Sequence, residues 1–173
     1  MGRPFLGLCQ IALVIGAVGC AGEGRHAGAG TASDTGFAAM QERGRMAMGV
    51  DQYTSAHVFE DLPDGGRIVL QREQPDTAGT GAIRAHMATI AAAFAQGDFN
   101  VPGFVHAQDV PGTATMAALR SRITYGADTL PRGGEVRITT ADSAAVTAIH
   151  EFLAFQRTAH HAEGHEGHAG HIP

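Results

Sequence analysis

The sequence predicts an α+β domain in which two ββα repeats form a four-stranded, mainly antiparallel sheet with two long helices on one face. The motif LPxGG, typical of a tight turn, occurs at residues 62–66 and again at residues 130–134. Each copy lies between two segments of alternating apolar and polar residues, and a polar capping residue and an amphipathic helical stretch follow. A chance recurrence of a common turn is the alternative explanation.

In the first repeat, residues 57–60 and 67–72 are the predicted strands. After a loop, a helix is predicted over residues 82–96, and Gly97 ends it. The apolar stripe of this helix consists of Ile83, Met87, Ile90 and Phe94.

The second repeat is separated from the first by irregular residues 98–112 and a short helix ending at Arg120. Residues 123–127 and 135–139 are its predicted strands, and a last helix runs from residue 143 to about residue 160. The stripe of this helix consists of Val146, Ile149, His150 and Leu153.

The N-terminus is predicted to be a lipoprotein signal peptide. One positive charge precedes a short apolar run, which ends in small residues before Cys20. Residues 17–20 (AVGC) resemble the bacterial lipobox, in which leucine is usual at the place of Ala17. We expect cleavage before Cys20 and lipid attachment to it. Cleavage by the ordinary signal peptidase is the alternative, and the run is short for a membrane-spanning helix, which needs about 20 apolar residues.

The predicted organisation and location follow from these features. Because Ala21 is not an aspartate retention signal, we expect the protein in the bacterial cell envelope, at the outer membrane facing the periplasm. The predicted segments are a signal peptide (1–19), a flexible lipid tether (20–50), the ββα-ββα domain (51–158) and a histidine-rich disordered tail (159–173).

Composition excludes several classes of function. The net charge is −5 and no basic run occurs, so nucleic acid is not an expected partner. Every basic residue is arginine, which excludes Schiff-base and P-loop lysine chemistry. After cleavage before Cys20, no thiol is left for a disulfide, a thiolate metal site or a nucleophile.

Histidine is unusually frequent, with 10 residues in 173. Imidazole is a common ligand of copper, zinc and nickel, and a flexible tail lets several rings converge on one ion. A soluble low-complexity end is the alternative interpretation of the tail. The candidate metal ligands in the tail are His160, His161, His165, His168 and His171.

Within the domain, the histidines are candidates for one shared metal site. His86 and His150 lie at the apolar stripes of the two predicted helices, His57 lies on the first strand, and His106 lies in the irregular segment. Met116 could add a thioether ligand, which favours Cu⁺. The alternative is that each histidine is an ordinary core residue with its own hydrogen bonds.

Short catalytic and metal signatures are absent from the sequence. No HExxH, CxxC, CxxCH or GxSxG motif occurs, so a metal site in the domain would have to be assembled from distant segments. No catalytic residue is assigned, and whether the protein is an enzyme stays open, with a non-enzymatic role favoured.

Several segments resemble a family of small uncharacterised bacterial exported proteins. They are residues 48–52 (MGVDQ), the histidine after them at His57, residues 83–86 (IRAH) and residues 150–156 (HEFLAFQ). Members are sometimes labelled aspartate carbamoyltransferase. This chain does not support that label, because it is too short for two domains and lacks the Ser-Thr-Arg-Thr phosphate loop of such enzymes.

The first functional hypothesis is therefore an envelope lipoprotein that binds a transition metal through histidines, copper first and zinc or nickel next. Its partners would be the membrane, through the lipid, and the metal ion. A non-metal binding or interaction module is the alternative. A hydrolase, with Asp109 or Glu151 in acid–base roles, is a weaker third hypothesis.

Overall fold

Two hairpins of equal length form the sheet. The computed structural model describes the backbone of residues 29–162 and the side chains of residues 35–162 except Gln52. Strand β1 (Ser55–Leu62) pairs with β2 (Gly65–Arg72), and β3 (Ile123–Leu130) pairs with β4 (Gly133–Thr140). The order is β1-β2-β4-β3, antiparallel throughout, which confirms the predicted sheet.

The two long helices lie on one face of this sheet, as predicted. Helix α2 (Thr77–Ala95) follows the first hairpin but packs mainly on β3 and β4, and α5 (Ser143–Ala159) follows the second hairpin but packs mainly on β1 and β2. The carboxylate of Asp76 caps the first turn of α2, so this helix begins at Thr77 rather than at residue 82.

Matching contacts in the two halves support the duplication. Arg84 of α2 donates hydrogen bonds to the carbonyl oxygens of Leu130 and Gly133, in the second hairpin turn. At the corresponding place in α5, Nε2 of His150 lies 3.0 Å from the carbonyl oxygens of both Leu62 and Gly65, in the first turn. Both partners accept, so Nε2 of His150 carries the proton and fastens α5 to the turn.

The first glycine of each LPxGG turn is required by close packing of the central strands. A Cβ on Gly65 would overlap the carbonyl oxygen of Ile138, and a Cβ on Gly133 would overlap the carbonyl oxygen of Leu70. The same contact thus occurs in both halves, which explains on steric grounds why the motif recurs.

The predicted tether is partly wrong. Residues 20–50 were expected to be flexible, yet Ala29–Met48 form helix α1. This helix packs on α3 (Asn100–His106), buries Met40, and is held by a 2.7 Å hydrogen bond from Arg43 Nε to the carbonyl oxygen of Val105. Because α1 covers the domain, ordered structure starts well before residue 51. Residues 20–28 lie outside the described part of the chain.

The remaining elements are short and complete the core. Helix α4 (Thr113–Ala118) packs on α5, and 3-10 turns occur at Gln52–Thr54 and Arg120–Arg122. None of the helices in residues 29–162 has the length and apolar character needed to cross a bilayer. The core between sheet and helices includes Phe59, Ile68, Leu70, Ile83, Phe94, Val136, Ile138, Ile149, Phe152 and Leu153.

Candidate functional site

An apolar pocket of about 80 Å³ lies between the first hairpin and helices α1, α2, α3 and α5. Four histidines line it, and we call it the histidine pocket: His57, His86, His106 and His160. They come from four separate segments of the chain, so the fold, rather than a local motif, assembles them.

Each ring reaches the pocket for a local structural reason. His57 and Phe59 alternate along β1 and share the face that carries the helices. His86 lies on α2 beside the buried Met87. His106 is the last residue of α3, and His160 caps the C-terminus of α5.

His160 lies at the centre of the group. Its ring centroid is 4.8 Å from that of His57, with the two planes nearly parallel at 25°, and 5.1 Å from that of His106, with the planes nearly perpendicular at 87°. Two imidazoles bound to one metal through nitrogens at about 2 Å have centroids roughly 5 Å apart. The distances between these rings are therefore similar to those between imidazoles that bind the same metal ion.

Hydrogen bonds hold two of the four rings. Nε2 of His106 is 2.9 Å from Oε1 of Gln156, and His86 is hydrogen-bonded to the backbone of Ala47 at the end of α1. By contrast, the ring of His160 is half-buried, but its Nδ1 atom is fully buried and has no hydrogen-bond partner within the described residues. A buried polar atom without a partner costs about 1–3 kcal/mol, so this nitrogen is an unusual feature of a core.

The four histidines are half-buried, and the loss of solvent around their rings keeps them neutral near pH 7. It lowers the pKa of His57 to about 4, helped by repulsion from His86. It lowers the pKa of His160 to about 2, helped by His57, His106 and His161. The pKa values of His86 and His106 are also lowered, mainly by burial. A neutral imidazole keeps one nitrogen lone pair free to bind a metal.

No carboxylate, hydroxyl or thiol lines the histidine pocket within the described residues. Besides the histidines, the lining is apolar except for Gln156, and it includes the thioethers of Met48 and Met87. The pocket therefore offers neutral nitrogen and sulfur ligands and no negative charge.

In the unbound arrangement the rings contact one another. Within residues 29–162, no three His, Asp or Glu side chains already hold their ligand atoms in position for a metal ion. Binding an ion here requires the side chains to rotate, which would separate the stacked rings of His57 and His160.

Two of the residues expected at a shared site lie elsewhere. His150 is bound to the first hairpin turn, at the opposite end of β1 from His57, so its place on the helix stripe brings it to the sheet but not to the pocket. Met116 is fully buried in α4 and does not line the pocket.

One pocket residue was expected in the tail instead. His160 continues the face of α5 that carries Phe152 and Gln156, at a spacing of four residues. That spacing is the signal that could have placed it in the domain. His161 stacks on Phe37, outside the histidine pocket. Cys20, His165, His168 and His171 lie outside the described residues.

Comparison with protein-family models, curated proteins and solved structures gives no significant match.

Proposed function

We propose that this protein is a lipid-anchored component of the bacterial envelope that binds a transition-metal ion, Cu⁺ first, in the histidine pocket. The observation that carries the proposal is the meeting of four neutral imidazoles, from four segments of the chain, in one pocket. His57, His86 and His106 were predicted from the sequence as members of one site, and His160 joins them.

The cost of burying these histidines also supports a ligand. Ordinary core histidines use their ring nitrogens in hydrogen bonds, whereas Nδ1 of His160 has no partner in the described part of the chain. Hydrogen bonds already satisfy His86 and His106, but the unpaired nitrogen of His160 reduces stability unless something binds it. A metal ion would use the free lone pairs and offset that cost.

The neutral lining favours an ion of low charge. The Born cost of burial rises with the square of the charge, so a divalent ion costs about four times as much as a monovalent one. No carboxylate among the described lining residues offsets that cost, and Met48 and Met87 are soft ligands. These features favour Cu⁺ over Zn²⁺ or Ni²⁺.

The apolar lining also suits a second candidate, a small neutral molecule hydrogen-bonded by the imidazoles. That alternative corresponds to a non-metal binding module. It predicts no tight Cu⁺ site outside the histidine-rich tail.

Competition for Cu⁺ tests the metal proposal. The full chain is titrated without oxygen against the chromophoric chelator bathocuproine disulfonate. We expect His57→Ala and His86→Ala each to weaken the tightest site at least about tenfold, because each removes one ligand. His150→Gln is the matched control, since it keeps a donor to the first turn, and its affinity should stay within about twofold of the parent.

A triple variant, His165→Ala with His168→Ala and His171→Ala, separates the tail from the pocket. This variant should lose the weak Cu⁺ binding of the tail and keep the tight Cu⁺ site of the pocket. The proposal is wrong if this variant loses the tight site while both pocket variants keep it.

The lipid anchor is tested separately, because residues 1–28 lie outside the described structure. We expect Cys20→Ala to move the protein from the membrane fraction to the soluble fraction, since the acyl chains provide the anchor. Cys9→Ala, in the predicted signal peptide, is the control and should fractionate like the parent. Unchanged fractionation of Cys20→Ala would contradict lipidation at this residue.

A further inference from the structure

A second cavity adjoins the histidine pocket. It lies between the first half of α1 and the end of α5, has a volume of about 280 Å³, and is lined in part by Phe37, Met40, His106 and His161. We call it the access cleft. It contains a buried thioether and two imidazoles, so it has the same kinds of ligand atom as the pocket.

His106 connects the two cavities, because it lines both of them. Its ring lies 5.1 Å from that of His160 in the pocket, centroid to centroid. On its own helix it is the last residue, close to the hydrogen bond that joins α3 to Arg43 of α1. An ion bound at His106 can therefore be reached by ligands from either side.

The end of α5 divides its two consecutive histidines between the cavities. His160 lines the pocket, whereas His161 lines the cleft and stacks on Phe37, with centroids 4.4 Å apart and planes within 9°. His161 has a φ of 50°, the left-handed conformation that usually favours glycine at this position after a helix. Hydrogen bonds to the carbonyl oxygens of Arg157 and Thr158 close the turn.

We infer that the access cleft is the route by which Cu⁺ reaches the histidine pocket, with Met40 and His161 as transient ligands and His106 as the shared one. This inference rests on the proposed function of the pocket. The histidine-rich residues 163–173 continue directly from Ala162, so ions captured by the tail are close to His161 in sequence. Each transfer replaces one neutral ligand by another on the same ion, without a change of oxidation state or release of a proton.

The rate of Cu⁺ uptake tests the route. Stopped-flow mixing of the full chain with the Cu⁺–bathocuproine disulfonate complex gives the rate, and titration gives the affinity. We expect His161→Gly and Met40→Leu each to slow uptake about tenfold while the affinity of the tight site stays within about twofold. Met46→Leu is the matched control, because Met46 is an exposed methionine of α1 outside the cleft, and its rate should not change.

His161→Gly also controls for folding. Glycine adopts the left-handed conformation readily, so the thermal unfolding midpoint should not fall. A tight site with unchanged uptake rates in both variants would overturn the route and leave the pocket intact. A loss of affinity equal to the loss of rate would also overturn it, because the cleft residues would then be permanent ligands. If the parent protein has no tight site, both the route and the proposed function are wrong.

Discussion

Acidification from pH 7 to pH 5 is expected to destabilise the metal-free protein by about 2 kcal/mol through His57 alone. In the unfolded chain this histidine takes up a proton near its ordinary pKa of about 6.5. In the folded protein its pKa is about 4, because the ring is buried and near His86. Between these values the unfolded state binds more protons, so the free energy of unfolding falls as the pH falls.

The other three pocket histidines also lower the free energy of unfolding as the pH falls, because their pKa values are lowered in the folded protein. Urea unfolding at pH 7, 6 and 5 measures the effect. The range stops at pH 5 because Asp64 and Asp142 have pKa values held low by Arg137 and Arg122, so those carboxylates remain ionised above it.

The control for this prediction is His57→Phe, which removes one titrating group from the pocket. Between pH 7 and pH 5, its free energy of unfolding should fall by about 2 kcal/mol less than that of the parent. An identical pH dependence in the parent and the variant would show that His57 is not buried in its neutral form.

His160→Phe is expected to stabilise the metal-free protein by about 1–3 kcal/mol and to weaken Cu⁺ binding at least tenfold. The change removes the buried Nδ1 atom, which has no partner among the described residues, and keeps a ring of similar shape. The position of α2 that corresponds to His160, counted from the first residue of each helix, is Phe94, so the other half of the fold has phenylalanine at the equivalent place. Urea unfolding and Cu⁺ competition measure the two effects.

His160→Gln provides the comparison. It keeps a buried polar side chain, so it should give no gain in stability. A lower stability of His160→Phe, together with unchanged Cu⁺ affinity, would mean that the imidazole is an ordinary structural residue. A gain in stability together with a loss of Cu⁺ binding is the result expected when a residue is retained for function rather than for stability.

The sheet and its two helices could be predicted because local signals agreed. The alternating residues around each LPxGG turn specify strands, and the apolar stripes specify the faces of the helices that pack on them. Helix α1 could not be predicted in the same way. Its sequence is rich in alanine, glycine and methionine without a clear apolar period, and it is ordered by packing on α3.

The pocket could be predicted only in part, because a helix stripe defines a face and not a place along the sheet. His86 and His150 both lie on helices that pack on the same face of the sheet. His150 binds the first hairpin turn, whereas His86, on α2, binds the backbone at the end of α1. His150 corresponds to Arg84 of α2, two residues before His86, and these two equivalent residues bind the hairpin turns. The two helices also pack on different pairs of strands, which no local pattern specifies.

His160 was missed as a pocket residue because the histidine-rich composition after it suggested that it belongs to the tail. The boundary is set by the C-terminal turn of α5, in which the left-handed His161 redirects the chain. A glycine usually occupies that conformation and indicates the end of a helix. Here a histidine occupies it, so the sequence gives no such signal.

The central claim is that His57, His86, His106 and His160 bind one ion together. Because Cu⁺ is diamagnetic, NMR of the ¹⁵N-labelled imidazole nitrogens can follow each histidine as one equivalent of Cu⁺ is added. We predict that the ring signals of these four residues move while those of His150 stay in place. If the signals of His165, His168 and His171 move instead and the four pocket histidines are unaffected, the histidine pocket is not a metal site.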